Sequence, residues 1–307
     1  MKTPSVRNRS SSGCVPDPSR LSAGDPVADG SGRMFDAIAP RYDRLNRILS
    51  LGCDVRWRNH AVRALALEPG QRVLDVATGT ADLAIALARG RSGVEVVGVD
   101  SSARMLEVGR RKVERAGLGA RVRLEQADGL DLPFEGASFD AACVAFGIRN
   151  FRDRELGLLE MARVVRPGGR VAVLELSEPR RGMLAPFARF YIRALVPRIG
   201  GLLARAQQYR YLQESVAAFP PAEVFASMMR RAGLADPTIR PLTFGVVHLY
   251  TARVPDDQAA DGAPPAGSVS SHRGAGRTLE KAAGDPAARA AARPTLAARS
   301  RAAEATR

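Results

Sequence analysis

The sequence predicts an α/β protein with a doubly wound, Rossmann-like sheet, mostly parallel and finished at one side by an antiparallel edge strand. Three observations predict it. Between Arg72 and Ser177, short apolar runs alternate with segments of helical spacing, the mark of repeated βα units. Small residues, Ala77-Thr78-Gly79-Thr80-Ala81, close the first run, as where a strand turns into a helix and backbone must approach a ligand. Two further runs, Thr238–Leu242 and Val246–Val254, stand close together in sequence, as in a hairpin.

Each element has its own reason. Arg72–Ala77 is an apolar run after a Pro-Gly turn and reads as a buried strand. Ala81–Arg89 carries Leu83, Leu87 and several alanines at helical spacing. Val94–Asp100 is the second strand, and Ala103–Ala116 a helix with Ser101 or Ser102 as N-cap, since a hydroxyl there accepts from the first free N–H groups. Val122–Asp128 and Phe139–Phe146 are the third and fourth strands. Arg152–Val165 is a helix ended by Arg166-Pro167-Gly168-Gly169, because proline and glycine cannot continue it. Arg170–Ser177 is the fifth strand. A helical insert at about 179–216 precedes the helix Pro221–Ala232.

Composition sets the limits of this domain. Residues 1–32 are rich in Ser, Pro and Gly, and 255–307 in Ala, Arg, Gly and Pro. Neither has enough apolar surface to offset the entropy of ordering, so both are expected to be disordered tails around a domain at 33–254. No run of about 18 apolar residues predicts a spanning helix, and the N-terminus lacks a secretory apolar region. Cys14, Cys53 and Cys143 show no CxxC spacing, and His60, His248 and His272 are isolated. Neither a disulfide framework nor a metal site is expected, and a cytoplasmic location fits. The net charge of +14 raises nucleic acid or an anionic membrane as a partner. The charge belongs mostly to the domain, where 34 basic residues face 23 acidic ones.

In a doubly wound sheet, ligands sit beyond the carboxyl ends of the strands. Three strand ends here carry acids: Asp75, Asp100 and Asp128, the last followed by Gly129. Gly79 allows close approach and Thr80 offers a hydroxyl. Asp100 is placed to accept the ribose hydroxyls of an adenosine ligand, and Asp128 to meet the exocyclic amine of adenine. A nicotinamide cofactor expects GxGxxG, and its pyrophosphate would be repelled by Asp75. A sulfonium with an ammonium group would instead be attracted. The expected cofactor is S-adenosyl-L-methionine.

Three separated motifs extend this reading. They are Met34-Phe35-Asp36 through Tyr42-Asp43-Arg44-Leu45-Asn46, on to Leu49-Ser50 and Trp57-Arg58; Phe146-Gly147-Ile148-Arg149-Asn150; and Arg163 through Gly169 to Leu174-Glu175-Leu176-Ser177. With Tyr209-Arg210-Tyr211-Leu212 and Ser215 downstream, residues 33–254 resemble the ubiquinone/menaquinone biosynthesis C-methyltransferase family. The resemblance implies a Rossmann-like class I S-adenosylmethionine-dependent methyltransferase that methylates a ring carbon of a polyprenylated quinol. It also points to Thr80, Asp100 and Asp128-Gly129 as cofactor contacts. The sequence departs from the family's frequent pattern at several positions: Asp128-Gly129 in place of Asn-Ala, Ala145 in place of Ser, Asp54 in place of His and Arg166 in place of Lys. Demethylmenaquinol is the expected acceptor; the same motifs serve the ubiquinone precursor, and the two stay open here.

Chemistry assigns two further candidates. A quinol carbon becomes nucleophilic when a ring hydroxyl loses its proton, and Arg149, just past the fourth strand, would stabilise the developing phenolate. Tyr42, on a segment expected to lie over the site, would position that hydroxyl or a water. No nucleic acid is expected as substrate: the Asp/Asn-Pro-Pro-Tyr/Phe motif of amino-methylating enzymes is absent after the fourth strand, and Cys143 has no preceding Pro. Between Glu178 and Glu214 lie seven arginines and no acid, with apolar residues from Leu184 to Ile199 at helical spacing. Such a stretch, 180–210, is expected to contact an anionic membrane peripherally.

Overall fold

The computed structural model describes residues 35, 36, 39, 42–177 and 206–256. Every one of them falls in one compact unit, Met1–Gly262. The expected tails lie outside the described residues except for their edges at Pro255 and Asp256, and so do 178–205 of the basic insert. No helix among the described residues is long and apolar enough to cross a membrane.

Residues 42–49 are helical. After a tight turn come α1 (Cys53–Leu65), β1 (Arg72–Val76), α2 (Asp82–Gly90), β2 (Glu95–Asp100), α3 (Ala103–Arg115), β3 (Val122–Gln126) and β4 (Phe139–Ala145). A 3-10 turn, Ile148–Asn150, leads into α4 (Arg154–Val164) and β5 (Val165–Leu176). The chain resumes with α5 (Ala206–Ala217), α6 (Ala222–Arg231), β6 (Ala235–Leu242) and β7 (Val247–Arg253).

The seven strands form one sheet in the order β3-β2-β1-β4-β5-β7-β6. β1 pairs in parallel with β2 on one side and β4 on the other, so the strand order reverses there. β7 runs antiparallel to both β5 and β6, which is the expected hairpin edge. Apolar side chains bury both faces. Leu65, Leu87 and Leu106 from α1, α2 and α3 pack with Val73 and Leu174 on one face. Leu158, Phe225 and Met229 from α4 and α6 pack with Val76, Val173 and Tyr250 on the other. Strands covered on both sides read as continuous apolar runs, which is why they stand out in the sequence.

Local chemistry accounts for the boundaries. Ser102 caps α3, accepting from Met105 N–H at 3.1 Å. Asp153 caps α4, accepting from Leu156 N–H at 2.9 Å, so this helix starts two residues later than Arg152. β4 stops at Ala145 because Phe146 turns left-handed, with φ 60. The Pro-Gly-Gly stretch does more than end a helix. β5 already pairs at Val165 with Phe139 and pairs again at Arg170 with Ala141, so 166–169 bulge out of the strand. Glycine is needed at 169, where a Cβ would lie 2.4 Å from Val165 Cγ1 and 2.6 Å from Asp140 O. β3 ends at Gln126, which leaves Asp128 in the loop beyond it, bridged to Asp131.

Candidate active site

A cavity of about 330 Å³ opens at the carboxyl ends of β1, β2 and β4, at the reversal of strand order. Its size falls in the range of small-molecule sites. The expected residues Tyr42, Asp75, Gly79, Thr80, Asp100, Asp128 and Gly129 all line it.

Its floor is the turn after β1. Ala77, Gly79 and Ala81 all take left-handed backbone, with φ 52, 57 and 66. Alanine is uncommon there, and such strain gathers at ligand sites. The turn is held from beneath by Thr78, whose hydroxyl donates to Asp75 Oδ2 at 2.6 Å. Asp75 itself is 1% exposed. Burial pushes its carboxyl up to about 7, against the opposing effects of Thr78 and Arg58. A carboxylate so starved of solvent gains strongly from a cationic ligand.

Asp100 ties two loops together. Its Oδ2 accepts from Gly79 N–H at 2.8 Å and its Oδ1 from Ser102 N–H at 2.9 Å. Burial raises its proton affinity as well, and the two N–H donors work against that rise. Asp128 accepts from Leu130 N–H at 3.0 Å, and its side chain stands 3.7 Å from Arg152. Gly129 is pressed against Phe151, where a Cβ would meet the ring at 2.7 Å. Phe151 thus forms the wall beside Asp128.

The N-terminal segment lies over the opening. Phe35 and Tyr42 meet edge to face at 6.1 Å. Ser102 Oγ donates to Asp36 at 2.5 Å, and Thr80 Oγ1 to Asp43 at 2.5 Å. Lys112 completes the clasp, 2.6 Å from Asp43 and 2.5 Å from Asp82. The Thr80 hydroxyl is thereby engaged with Asp43 and Lys112, an arrangement not anticipated from its place in the loop. Arg58 on α1 reaches the cavity from behind, paired with Asp54 at 2.7 Å and lying over the Phe146 ring.

Arg149 is placed differently from the expectation. It is 5% exposed and is not among the residues lining the cavity; its neighbours Gly147 and Asn150 are. Its Nη1 pairs with Glu175 Oε1 at 2.9 Å and also donates to Phe146 O, while its backbone N–H donates to Glu175 Oε2 at 3.1 Å. Arg149 thus stands behind the cavity wall as one half of a buried ion pair, whereas the sequence placed it at the meeting of substrate and cofactor. Burial disfavours the guanidinium charge, but Glu175 and then Tyr42 and Tyr211 outweigh it and hold it firmly protonated. Glu175, fully buried, stands in the fifth strand and the third motif without an assigned role in the sequence; Asp36, Asp43, Asp54, Lys112 and Asn150 likewise have none assigned. Asp54 and Arg58 did carry one signal, the spacing of a helical i,i+4 pair.

A parallel sheet whose strand order reverses at β1, an acid at the end of β2 and a buried carboxylate beneath a strained turn match the class I S-adenosylmethionine-dependent methyltransferases. Solved structures share the fold: an S-adenosylmethionine-dependent methyltransferase from Aquifex aeolicus superposes with TM-score 0.52 at 16% identity, covering 71% of this chain and 98% of its own. The [4+2]-cyclase SpnF superposes at 0.55 with 19% identity, covering 74% and 95%, so the fold alone leaves the reaction open. The family is shown by sequence. The chain belongs to the ubiE/COQ5 methyltransferase family, whose model matches residues 28–253. It is 48% identical to the demethylmenaquinone methyltransferase of Thermus thermophilus over 72% of this chain and 100% of that protein. The ubiquinone/menaquinone biosynthesis C-methyltransferase UbiE of Geotalea daltonii is 44% identical, over 71% and 93%.

Proposed function

We propose that this enzyme methylates a ring carbon of demethylmenaquinol, giving menaquinol. The observation that carries the reading is the meeting, in one cavity, of Tyr42 with the three acids Asp75, Asp100 and Asp128. The acids match the charge and hydrogen-bonding groups of S-adenosylmethionine, and Tyr42 supplies a polar edge beside the space left for a ring. The relatives named for demethylmenaquinone, in Thermus thermophilus and at 48% identity in Deinococcus radiodurans, support this choice of acceptor.

S-adenosylmethionine supplies an electrophilic methyl on a sulfonium. Asp75 would hold the ammonium end of that cofactor, Asp100 the ribose and Asp128 the adenine. On the acceptor, a ring hydroxyl gives up its proton and the adjacent carbon attacks the methyl in line. The carbon–carbon bond would form as the carbon–sulfur bond breaks, leaving the neutral thioether; the ring hydrogen would then leave as a proton and the ring oxygen regain one, giving the quinol. Tyr42 and Asn150 position the acceptor hydroxyl at the cavity wall. Arg149 acts from behind them, held by Glu175, its guanidinium favouring negative charge on the acceptor's ring oxygen. The basic stretch 180–210 suits peripheral contact at the cytoplasmic face of an anionic membrane, where an isoprenoid tail resides.

Purified enzyme with labelled S-adenosylmethionine and three acceptors tests this: a demethylmenaquinol, a methoxy-polyprenyl-benzoquinol and RNA. Label is expected in the naphthoquinol. Label confined to the benzoquinol reassigns the ring, and label only in RNA overturns the reading.

A further inference from the structure

Two turns near the cavity expose large apolar side chains on backbone that is unfavourable for them. Leu51 is 72% exposed with φ 50, and Phe244 is 63% exposed with φ 59. A bulky residue in the left-handed region is an outlier, and glycine or asparagine would fit either turn with less strain. Neither side chain returns core packing in exchange. Such a cost, met at two turns, points to a role outside the fold.

The turns are linked. Leu51 stands at the tip between helix 42–49 and α1, where Gly52 N–H donates to Arg47 O at 2.8 Å. Ile48 and Val55 are exposed on either side of it. Phe244 lies in the 3-10 turn Thr243–Gly245 between β6 and β7. Trp57 of α1 donates from Nε1 to Thr243 Oγ1 at 2.8 Å and so fastens one turn to the other element.

Charge completes the surface. Between residues 42 and 65 the exposed charged side chains are all arginine: Arg44, Arg47, Arg56 and Arg63. The acids of that stretch turn inward, Asp54 to Arg58 and Asp43 to Lys112. Arg240, exposed before the second turn, lies close enough to His60 of α1 to lower its proton affinity together with Arg63 and Arg56, after burial. Among the described residues, Arg44, Arg56, Arg63 and Arg240 have no acidic partner.

We infer that this face docks peripherally on an anionic lipid bilayer, with Leu51 and Phe244 as apolar anchors inside a border of arginines. Protruding apolar tips enter a fluid headgroup layer, whereas a protein partner would need a matching pocket for each. The arginines add attraction to anionic lipid. Helix 42–49 starts at Tyr42 in the cavity wall and ends beside Leu51, so docking holds the cavity roughly 12 Å from the tip at 1.5 Å per residue. This surface is distinct from the stretch 180–210, and quinol-free vesicles test it apart from the choice of acceptor.

The experiment measures binding of the full chain to phosphatidylcholine vesicles with and without equimolar phosphatidylglycerol. Anionic vesicles are expected to bind, more weakly as salt rises, and neutral ones not. The double variant Leu51→Asn/Phe244→Asn is expected to lose about tenfold or more in vesicle affinity without a lower unfolding midpoint, because asparagine tolerates the left-handed turns. Trp57, the single tryptophan, should be quenched by brominated acyl chains in the parent and spared in the variant. Equal vesicle binding by parent and variant, or none by the parent, overturns the inference. So does self-association of the parent that the variant abolishes, which would give the face to a second copy.

Discussion

Asp100 and Arg149 show what a single residue does once its neighbours are known. Asp100 already accepts two backbone N–H bonds and still faces the cavity. Asp100→Ala should weaken cofactor binding by about 1.5–3 kcal/mol through loss of a charged hydrogen bond, read by titration calorimetry; an unchanged dissociation constant would remove it from the ribose site. Its position was legible because the strand ends of βα units gather on one side of the sheet. Arg149 was only half legible. Its position beside the site could be read, but its partner Glu175 comes from another strand, and nothing local in sequence reports that pairing. The pairing changes the prediction. Arg149→Ala strands a buried carboxylate and should cost about 3–5 kcal/mol of stability. Arg149→Met with Glu175→Gln removes both charges, so it should recover much of that stability while turnover stays low and cofactor affinity is kept. Turnover restored in the double variant would show that Arg149 serves only the fold.

Among elements, the parallel strands were legible and the bulge was not. β1, β2 and β4 are buried on both faces and so leave uninterrupted apolar runs. Phe139 and Val165 pair before the Pro-Gly-Gly stretch, and that long-range register has no local signature. α1 went unread as an element, since its buried face mixes Trp57, Ala61 and Leu65 with the ionic Asp54 and Arg58. On β7, Tyr250 is buried between α6 and the sheet, its ring 4.7 Å from Phe225. Its hydroxyl has no hydrogen-bond partner among the described residues. Burial, with Glu175 and Glu223 behind it, pushes that phenol's proton affinity far up. A donor left unpaired in the core is a net cost, so Tyr250→Phe should stabilise the protein by about 1 kcal/mol. Chemical denaturation reads this directly, and a loss of stability would refute it.

For the whole molecule, the proposed cofactor contact of Asp75 would couple cofactor binding to folding. Its carboxyl titrates near 7 in the folded protein and near 3.8 when free, chiefly because it is buried. Below the free value both states are protonated and nothing is lost. As pH rises from there to 7, the unfolded chain releases a proton that the folded one keeps, so stability without cofactor falls across that window and levels off above it. A cationic ligand beside Asp75 reverses the preference, because it favours the ionised carboxylate. Cofactor binding below pH 7 should therefore release protons, and the cofactor's stabilising effect should be larger at pH 8 than at pH 6. Calorimetry in buffers of different ionisation enthalpy measures the first, and melting curves with and without S-adenosylmethionine measure the second. Asp75→Asn separates the two roles. At pH 8 it should raise the stability of the ligand-free protein, by roughly 2–4 kcal/mol if the whole ionisation cost is removed, while weakening cofactor binding and flattening its pH dependence. If the variant is less stable at pH 8 and binds cofactor with an unchanged pH profile, the carboxylate beneath the strained turn is a structural acid, and the charge that attracts the cofactor must come from elsewhere in the cavity.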